Sequence, residues 1–168
     1  MTLLTGKKGL IMGVANNRSI AWGIAEEAKR FGADLAFTFQ GEALQKRVEP
    51  LAESVGSKIV IPCDVTDQAS VDEAFAIIDK EWGKLDFLVH AIAYSDKEEL
   101  RGKYLDTSAK NFANTMNISA FSLASVCKAA EPLFKKAGGG SVVTLSYYGA
   151  EKVMPHYNVM GVAKAALE

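Results

Sequence analysis

The sequence predicts an α/β protein built on a doubly wound parallel sheet. Two observations carry this. Short, nearly continuous apolar runs alternate along the chain with helical stretches of ten residues or more. That is the pattern of strands buried on both faces and joined by helical crossovers. Nothing interrupts the alternation: the chain has no internal linker, no repeat and no low-complexity tract. Crossovers of this kind are right-handed, which gives helices on both faces of one open sheet.

Taken in order, Lys8 to Ala15 is an apolar run that ends in small residues, the first strand. After the polar turn Asn16-Asn17-Arg18, Ser19 is placed to cap a helix from Ile20 to Phe31, with Ile20, Ile24 and Phe31 on one face and Gly32 as its stop. Asp34 to Gln40 reads as the second strand and Glu42 to Ser54 as the second helix. Lys58 to Val65 is the third strand, whose Pro62 points to an edge position, because proline cannot donate to a ladder on both sides. Thr66 or Asp67 caps a helix that runs to Trp82, and Lys84 to Ala91 is the fourth strand. A charged stretch, Asp96 to Lys103, precedes a long helix from Ser108 to Lys136. Gly138-Gly139-Gly140 ends it, Ser141 to Ser146 is the fifth strand, and Tyr157 to Glu168 is again helical. The last helix carries no stop signal and no strand for it to cross over to, so the sheet reads as unfinished at its carboxyl end.

A chain of 168 residues makes one domain or most of one, long enough to bury a core without disulfide or metal support. Nineteen Lys and Arg against twenty Asp and Glu leave a net charge of -1, which argues against coating nucleic acid or lying on a membrane surface. The longest uncharged run, Asn111 to Cys127, is interspersed with Asn, Ser and Thr and falls short of the ~20 apolar residues of a span. The first residues lack the basic-then-apolar order of a secretory signal. Cys63 and Cys127 form no C-x-x-C pair and His90 and His156 are far apart, so no metal site is expected. Two buried thiols in a reducing cytoplasm are the expectation.

Function is carried by two groups of residues. In a doubly wound sheet, the helix that follows the first strand offers free amides and the positive end of its dipole to a pyrophosphate. The usual G-x-G-x-x-G is absent; the chain reads Gly13-x5-Ser19-Ile20-Ala21-Trp22-Gly23. Gly13 supplies close backbone approach and Ser19 a hydroxyl. Gly23, inside the helix, is expected to serve close packing on the sheet, against the alternative of a plain turn with incidental glycines. Gln40, at the tip of the second strand, can bond ribose hydroxyls but has no charge for a 2′-phosphate, although Lys46 and Arg47 follow it. NADH is thereby favoured over NADPH. The second group is Tyr157 and Lys164, seven apart on a helix and therefore nearly on one face. A phenol and an ammonium facing one cleft are an oxidoreductase pair: the lysine favours phenolate character and the phenol donates to an oxygen that becomes negative. Tyr147 lies just beyond the fifth strand, at the ligand-binding edge.

Gly13-x5-Ser19-Ile20-Ala21, Asp64-Val65, Ser146-Tyr147 and Tyr157-Asn158-Val159-Met160-Gly161-x-Ala163-Lys164-Ala165 together resemble the bacterial NADH-dependent enoyl-acyl-carrier-protein reductases of the short-chain dehydrogenase superfamily. The most specific element is Tyr-x6-Lys with a second tyrosine ten residues upstream. Ordinary members of the superfamily have Tyr-x3-Lys, and here Gly161 stands where their lysine falls. The resemblance implies a single NAD-binding Rossmann-like domain over residues 1–168, lacking its last strands. It implies that Tyr157 stabilises and protonates the enolate formed as hydride reaches the β-carbon of a trans-2-enoyl thioester. Lys164 would hold the nicotinamide ribose, and Tyr147 would shape the acyl pocket. Gly13, Ser19, Ile20 and Gln40 would line the pyrophosphate and adenosine ribose, with Asp64 and Val65 beside the adenine and Ala91, Ile92 and Ala93 close to the cofactor. The family often has Ser and Gly where this chain has Ala91 and Ala93, which removes one hydroxyl contact and thickens the loop slightly. Small residues here leave room for flat diphenyl-ether inhibitors.

The long helix places Phe112, Met116, Ala120, Leu123, Cys127, Ala130 and Phe134 in one apolar stripe, with Phe121, Ala124 and Val126 beyond it. That width predicts a second buried face, against the alternative of a core helix in a large domain; the resemblance implies a homotetramer. An acyl-carrier protein would be the partner, and being acidic it would dock on a basic surface, for which the Lys135-Lys136 end is a candidate. The alternatives are another short-chain ketone or 3-oxoacyl reductase, which the Tyr-x6-Lys spacing argues against, and a non-catalytic dinucleotide-binding fragment.

Overall fold

In a computed structural model that describes residues 2–168, the chain forms two compact units, one running to Ala91 and resuming over Val126–Thr144, the other comprising Ile92–Ser125 and Leu145–Glu168. The first holds the whole sheet. Its strands are β1 (Lys8–Met12), β2 (Asp34–Phe39), β3 (Ile59–Pro62), β4 (Phe87–His90) and β5 (Ser141–Thr144), all paired in parallel in the order β3-β2-β1-β4-β5. The predicted doubly wound sheet is present, and β3 with its Pro62 is an edge strand, as the proline implied. Order reverses at β1, so the carboxyl ends of β1 and β4 flank the position where such sheets take ligands.

Alternation along the strands explains the two faces. Ile11, Leu35, Phe37 and Val89 form one cluster with Ala21, Trp22, Ala25 and Ala28 of α1 (Ile20–Arg30) and Val48 and Ala52 of α2 (Glu42–Ser54). The intervening Leu10, Met12, Ala36 and Leu88, all fully buried, take the opposite face. There α3 (Gln68–Trp82) supplies Val71, Ala74, Phe75 and Ile78, and α6 (Ser122–Lys136) supplies Val126, Ala130 and Leu133. Asp86 gathers the amino ends of three strands: its carboxylate accepts from the Lys8 amide at 2.9 Å, Lys84 at 2.9 Å and Lys7 at 3.1 Å. Its backbone bonds Lys8 O and Ser141 N.

Several local expectations are corrected. On α1 the buried face is the row of alanines with Trp22, which lets the helix approach the sheet closely. The face with Ile20, Ile24 and Phe31 instead lines an open groove of about 990 Å³ beside β4 and β5. Gly23 borders the same groove, and a Cβ built there meets nothing within 4 Å, so close packing does not account for it. Ser19 stands at the cap position without making a cap bond; its hydroxyl donates to Asn16 O at 2.7 Å. Asp67 does cap α3, accepting from Ala69 N at 3.0 Å. Of the two thiols expected to be buried, Cys63 is and Cys127 is only half-buried.

The second unit holds α4 (Lys97–Arg101), which the charged stretch had concealed, then α5 (Ala109–Met116), a π-helical segment over Asn117–Phe121, the start of α6, and α7 (Asn158–Leu167). The single long helix expected from Ser108 to Lys136 is therefore broken by a π-turn, a feature that re-aims side chains within a helix. Its inward face is polar: Asn111, Thr115 and Ser119 are buried, while Phe112 and Phe121 are 38% and 62% exposed. The predicted apolar stripe is divided: Phe112 is exposed, Met116, Ala120, Leu123, Cys127 and Phe134 are half-buried, and Ala130 is buried against the sheet. Among the described residues no helix is long and apolar enough to cross a membrane.

Candidate functional site

The sequence-predicted residues fall into two clusters, one in each unit. In the first, β1 ends at Met12, and the chain turns through Gly13 before α1 begins. Gly13 has φ +100°, and a Cβ there would run into the carbonyl of Ala91 at the end of β4. Only glycine permits both that backbone conformation and that approach. The turn is closed by Asn16, whose backbone oxygen accepts from Ser19 N (3.2 Å) and whose side chain accepts from Arg18 N (2.8 Å). Ser19 O takes the amides of Trp22 and Gly23 at 3.0 and 3.2 Å. Helix geometry leaves the first-turn amides of Ile20 and Ala21 without carbonyls of the helix to bond. Ile20 itself is 67% exposed at this mouth.

One strand over, Gln40 follows β2 and Asp64 follows β3. Gln40 Nε2 donates to Asp64 Oδ2 across 3.4 Å. Thr66 donates to the other oxygen through its hydroxyl (2.7 Å) and its amide (2.9 Å). These Thr66 bonds, more than the Gln40 contact, hold the Asp64 carboxyl below its ordinary range. The carboxylate is therefore firmly anionic beside the Gln40 amide, which stands at the strand end where dinucleotide folds place an acidic residue for the adenosine ribose. Val65, next in the chain, is half-buried. The turn and the Gln40–Asp64 pair make a cradle that fits an uncharged-ribose dinucleotide, and a 2′-phosphate would meet a fixed negative charge.

In the second unit the structure brings Tyr147 and Tyr157 together, edge to face, with ring centroids 4.8 Å apart and planes at 62°. Burial first, and Tyr147 second, push the Tyr157 phenol above its ordinary value of 10.0. That direction is opposite to the phenolate character expected from Lys164. Lys164 is buried on α7 and donates through Nζ to Leu145 O at 2.7 Å; burial lowers its pKa. Ile92 is half-buried and Ala93 exposed in the stretch that begins this unit.

Residues whose role the sequence reading did not assign hold this cluster in place. Gly149 lies under both rings, since a Cβ there would strike Tyr157 and come within 3.2 Å of Tyr147. Gly161 faces the Gly149 carbonyl, 2.7 Å from where its Cβ would be. The ladder Asn111–Thr115–Ser119, spaced by four on one helical face, binds the stretch Tyr94–Asp96. Asn111 Oδ1 accepts from Asp96 N (3.0 Å), Thr115 donates to Ser95 Oγ (2.8 Å), and Ser119 Oγ both accepts from Tyr94 N (2.9 Å) and donates to Tyr94 O (3.1 Å). The polar residues within the uncharged run 111–127, read at i, i+4 and i+8, were the available signal. The Lys135-Lys136 end proposed for docking is engaged in ion pairs with Glu131 and Asp79.

The profile of a family described as "Enoyl-(Acyl carrier protein) reductase" matches residues 13–168. Among curated proteins, the enoyl-acyl-carrier-protein reductase (NADH) 1 of Rhizobium meliloti is 61% identical over 99% of this chain and 60% of its own length. That of Rickettsia bellii is 56% identical over 99% and 63%. Among solved structures, the reductase of Anaplasma phagocytophilum in complex with NAD superposes with a TM-score of 0.94 at 57% identity, covering 99% of this chain and 63% of that one. The Aquifex aeolicus reductase (NADH) gives 0.95 at 51%, covering 98% and 65%. The chain thus spans about three fifths of the length of the relatives it matches.

Proposed function

Since the chain belongs to the enoyl-(acyl carrier protein) reductase family, we propose that residues 1–168 are the NAD-binding, tyrosine-bearing domain of an enzyme that reduces the trans-2 double bond of an acyl-carrier-protein thioester in fatty-acid synthesis. The observation that carries the reading is the Tyr147–Tyr157 ring pair, with the buried Lys164 two turns beyond Tyr157 on α7. Bound NADH supplies a hydride to the β-carbon of the substrate. What the chain does is hold and donate. Gly13 and the first-turn amides of α1 take the pyrophosphate, with Ser19 and Ile20 at the mouth. Gln40 would take the adenosine ribose; Asp64 would oppose a 2′-phosphate and, with Val65, border the adenine; Ala91, Ile92 and Ala93 would lie close to the cofactor. Lys164 binds the nicotinamide ribose. The Tyr157 hydroxyl donates a hydrogen bond to the thioester oxygen as negative charge develops there, then its proton. Tyr147, edge-on to that ring, limits its rotation and shapes the acyl pocket.

The exposed Phe112 and Phe121 on the outer side of the α5–α6 region favour burial against further copies, a homotetramer in a cytoplasmic enzyme. In the full-length protein, NADH oxidation is followed with crotonyl and acetoacetyl thioesters side by side. Faster turnover of the crotonyl thioester, together with a large loss in Tyr157→Phe at unchanged NADH affinity, is the expected result. Preference for the acetoacetyl thioester would replace this reading with a 3-oxoacyl reductase.

A further inference from the structure

Two residues with left-handed backbone flank Tyr157: His156 at φ 58° and Asn158 at φ 34°. Non-glycine residues in this region are uncommon and persist only where the surroundings impose the conformation. At Asn158 the constraint is visible. Its side-chain amide donates both hydrogens, one to Glu99 O at 2.9 Å and one to Gly102 O at 2.8 Å. Two carbonyl acceptors on one group fix the amide orientation, because an oxygen there would face two oxygens. These carbonyls belong to the end of α4, a helix of five residues whose last turn has no successor to satisfy it. Asn158 therefore closes α4 from more than fifty residues away.

The anchor is itself fixed. Asp96 caps the start of α4 by accepting from Glu98 N at 2.9 Å, and its own amide is held by Asn111. The Glu99 carboxylate takes the Ser108 amide and hydroxyl at 2.9 and 2.8 Å. A continuous chain of hydrogen bonds thus runs from the buried ladder on α5 through α4 to the residue that follows Tyr157.

We propose that Asn158 is a positioning residue for Tyr157: its two-carbonyl grip on the end of α4 imposes the left-handed turn that sets the Tyr157 ring against Tyr147. This rests on the reading of Tyr157 as the proton donor. Asparagine suits the task twice over, as a side chain with two donors and as the residue that best tolerates φ > 0 after glycine. The two properties separate by substitution. Asn158→Gly keeps the backbone freedom and removes the grip. Asn158→Asp keeps shape and backbone tolerance but turns an oxygen toward the two carbonyls.

The test measures kcat and NADH dissociation constants for both variants in the full-length enzyme, alone and combined with Tyr157→Phe. Each single variant is expected to lose on the order of tenfold in kcat, as sub-ångström misplacement of a reacting group does, with NADH affinity within about twofold. Neither should reduce the residual rate of Tyr157→Phe further, because a residue acting through the phenol has nothing left to position. Wild-type kcat in Asn158→Gly would show that the residue serves backbone tolerance alone. An equal further loss on the Tyr157→Phe background would show a general structural role. Either result overturns the proposal while leaving Tyr157 in place. Full kcat in Tyr157→Phe alone would overturn the reading of Tyr157 and this inference with it.

Discussion

A single methyl group at Gly161 tests the packing that separates this chain from the Tyr-x3-Lys arrangement. Alanine in a helix interior is favoured over glycine by about 0.8–1 kcal/mol, so on propensity alone Gly161→Ala should stabilise α7. The structure opposes it. The new Cβ would lie 2.7 Å from Gly149 O, 0.7 Å short of the 3.4 Å at which ordinary contact begins, and 3.6 Å from the Tyr157 ring. The obstacle is backbone, which cannot swing aside as a side-chain tip can. Overpacking of this kind costs about 1–3 kcal/mol. The net effect is destabilisation of up to about 2 kcal/mol, or a melting temperature lower by about 2–4 °C for each kcal/mol in a protein of this size.

Gly23→Ala supplies the control. It carries the same propensity gain, but its Cβ meets nothing within 4 Å, and it should stabilise by about 0.8–1 kcal/mol. Urea unfolding of the two variants, read as midpoints at constant slope, isolates the steric part as their difference. Because Gly149 lies under both tyrosine rings, Gly161→Ala should also lower turnover more than it weakens NADH binding. Equal stabilisation by the two alanines, with turnover intact, would refute the close approach.

Three further outcomes are expected. Lys164→Met keeps the aliphatic stem but removes the charge and the bond to Leu145 O; titration calorimetry should show weakened NADH binding, and unchanged affinity would remove Lys164 from the ribose site. Asp86→Asn should cost about 1–2 kcal/mol near neutral pH, since it keeps the Lys8 contact and loses two half-exposed lysines. Burial alone would raise the Asp86 pKa, but the Lys8 amide and then Lys84 and Lys7 bring it below 3.8. The wild-type advantage is therefore complete above about pH 4, should shrink as pH falls through the lowered folded value, and is checked by urea midpoints between pH 2 and 7. Since burial holds Tyr157 above 10.0, the alkaline fall in kcat due to its ionisation should lie above pH 10, and a fall centred near neutrality would assign that limb to another group.

The sheet was legible because its signals are local. Apolar runs marked all five strands, Pro62 marked an edge, and Asp67 marked a cap, each readable within a few residues. What was not legible depends on distant partners. Lys97–Arg101 is too short to show a helical period, and its carboxyl end is closed by Asn158, far along the chain. The inward face of the α5–α6 region was not legible from apolar spacing, because Asn111, Thr115 and Ser119 are buried by the hydrogen bonds they make to Tyr94–Asp96. On α1, the bulky Ile20, Ile24 and Phe31 drew attention from the alanines, although small residues are what allow a helix to lie close to a sheet. The Tyr157–Lys164 spacing was visible in sequence; the reason that it is seven and not four was not.

That reason lies in the segment after β5. Leu145, Tyr147 and Gly149 alternate along the chain, and each meets one residue of the segment that leads into and forms α7: the Leu145 carbonyl takes Lys164 Nζ, the Tyr147 ring takes the Tyr157 ring, and the Gly149 carbonyl abuts Gly161. A lysine four residues after Tyr157 would bring its Cβ to 2.7 Å from Gly149 O, closer than side-chain carbons pack, whereas the cation one turn further on is received by Leu145 O. The tyrosine that this arrangement places over Gly149 is Tyr147, and its ring occupies space beside Tyr157 that a larger residue at 149 would take. The glycine pair, the second tyrosine and the x6 spacing are thus one packing solution: exchange of any one of them alone, such as moving the lysine to position 161, should disrupt the other two before it creates a working Tyr-x3-Lys site.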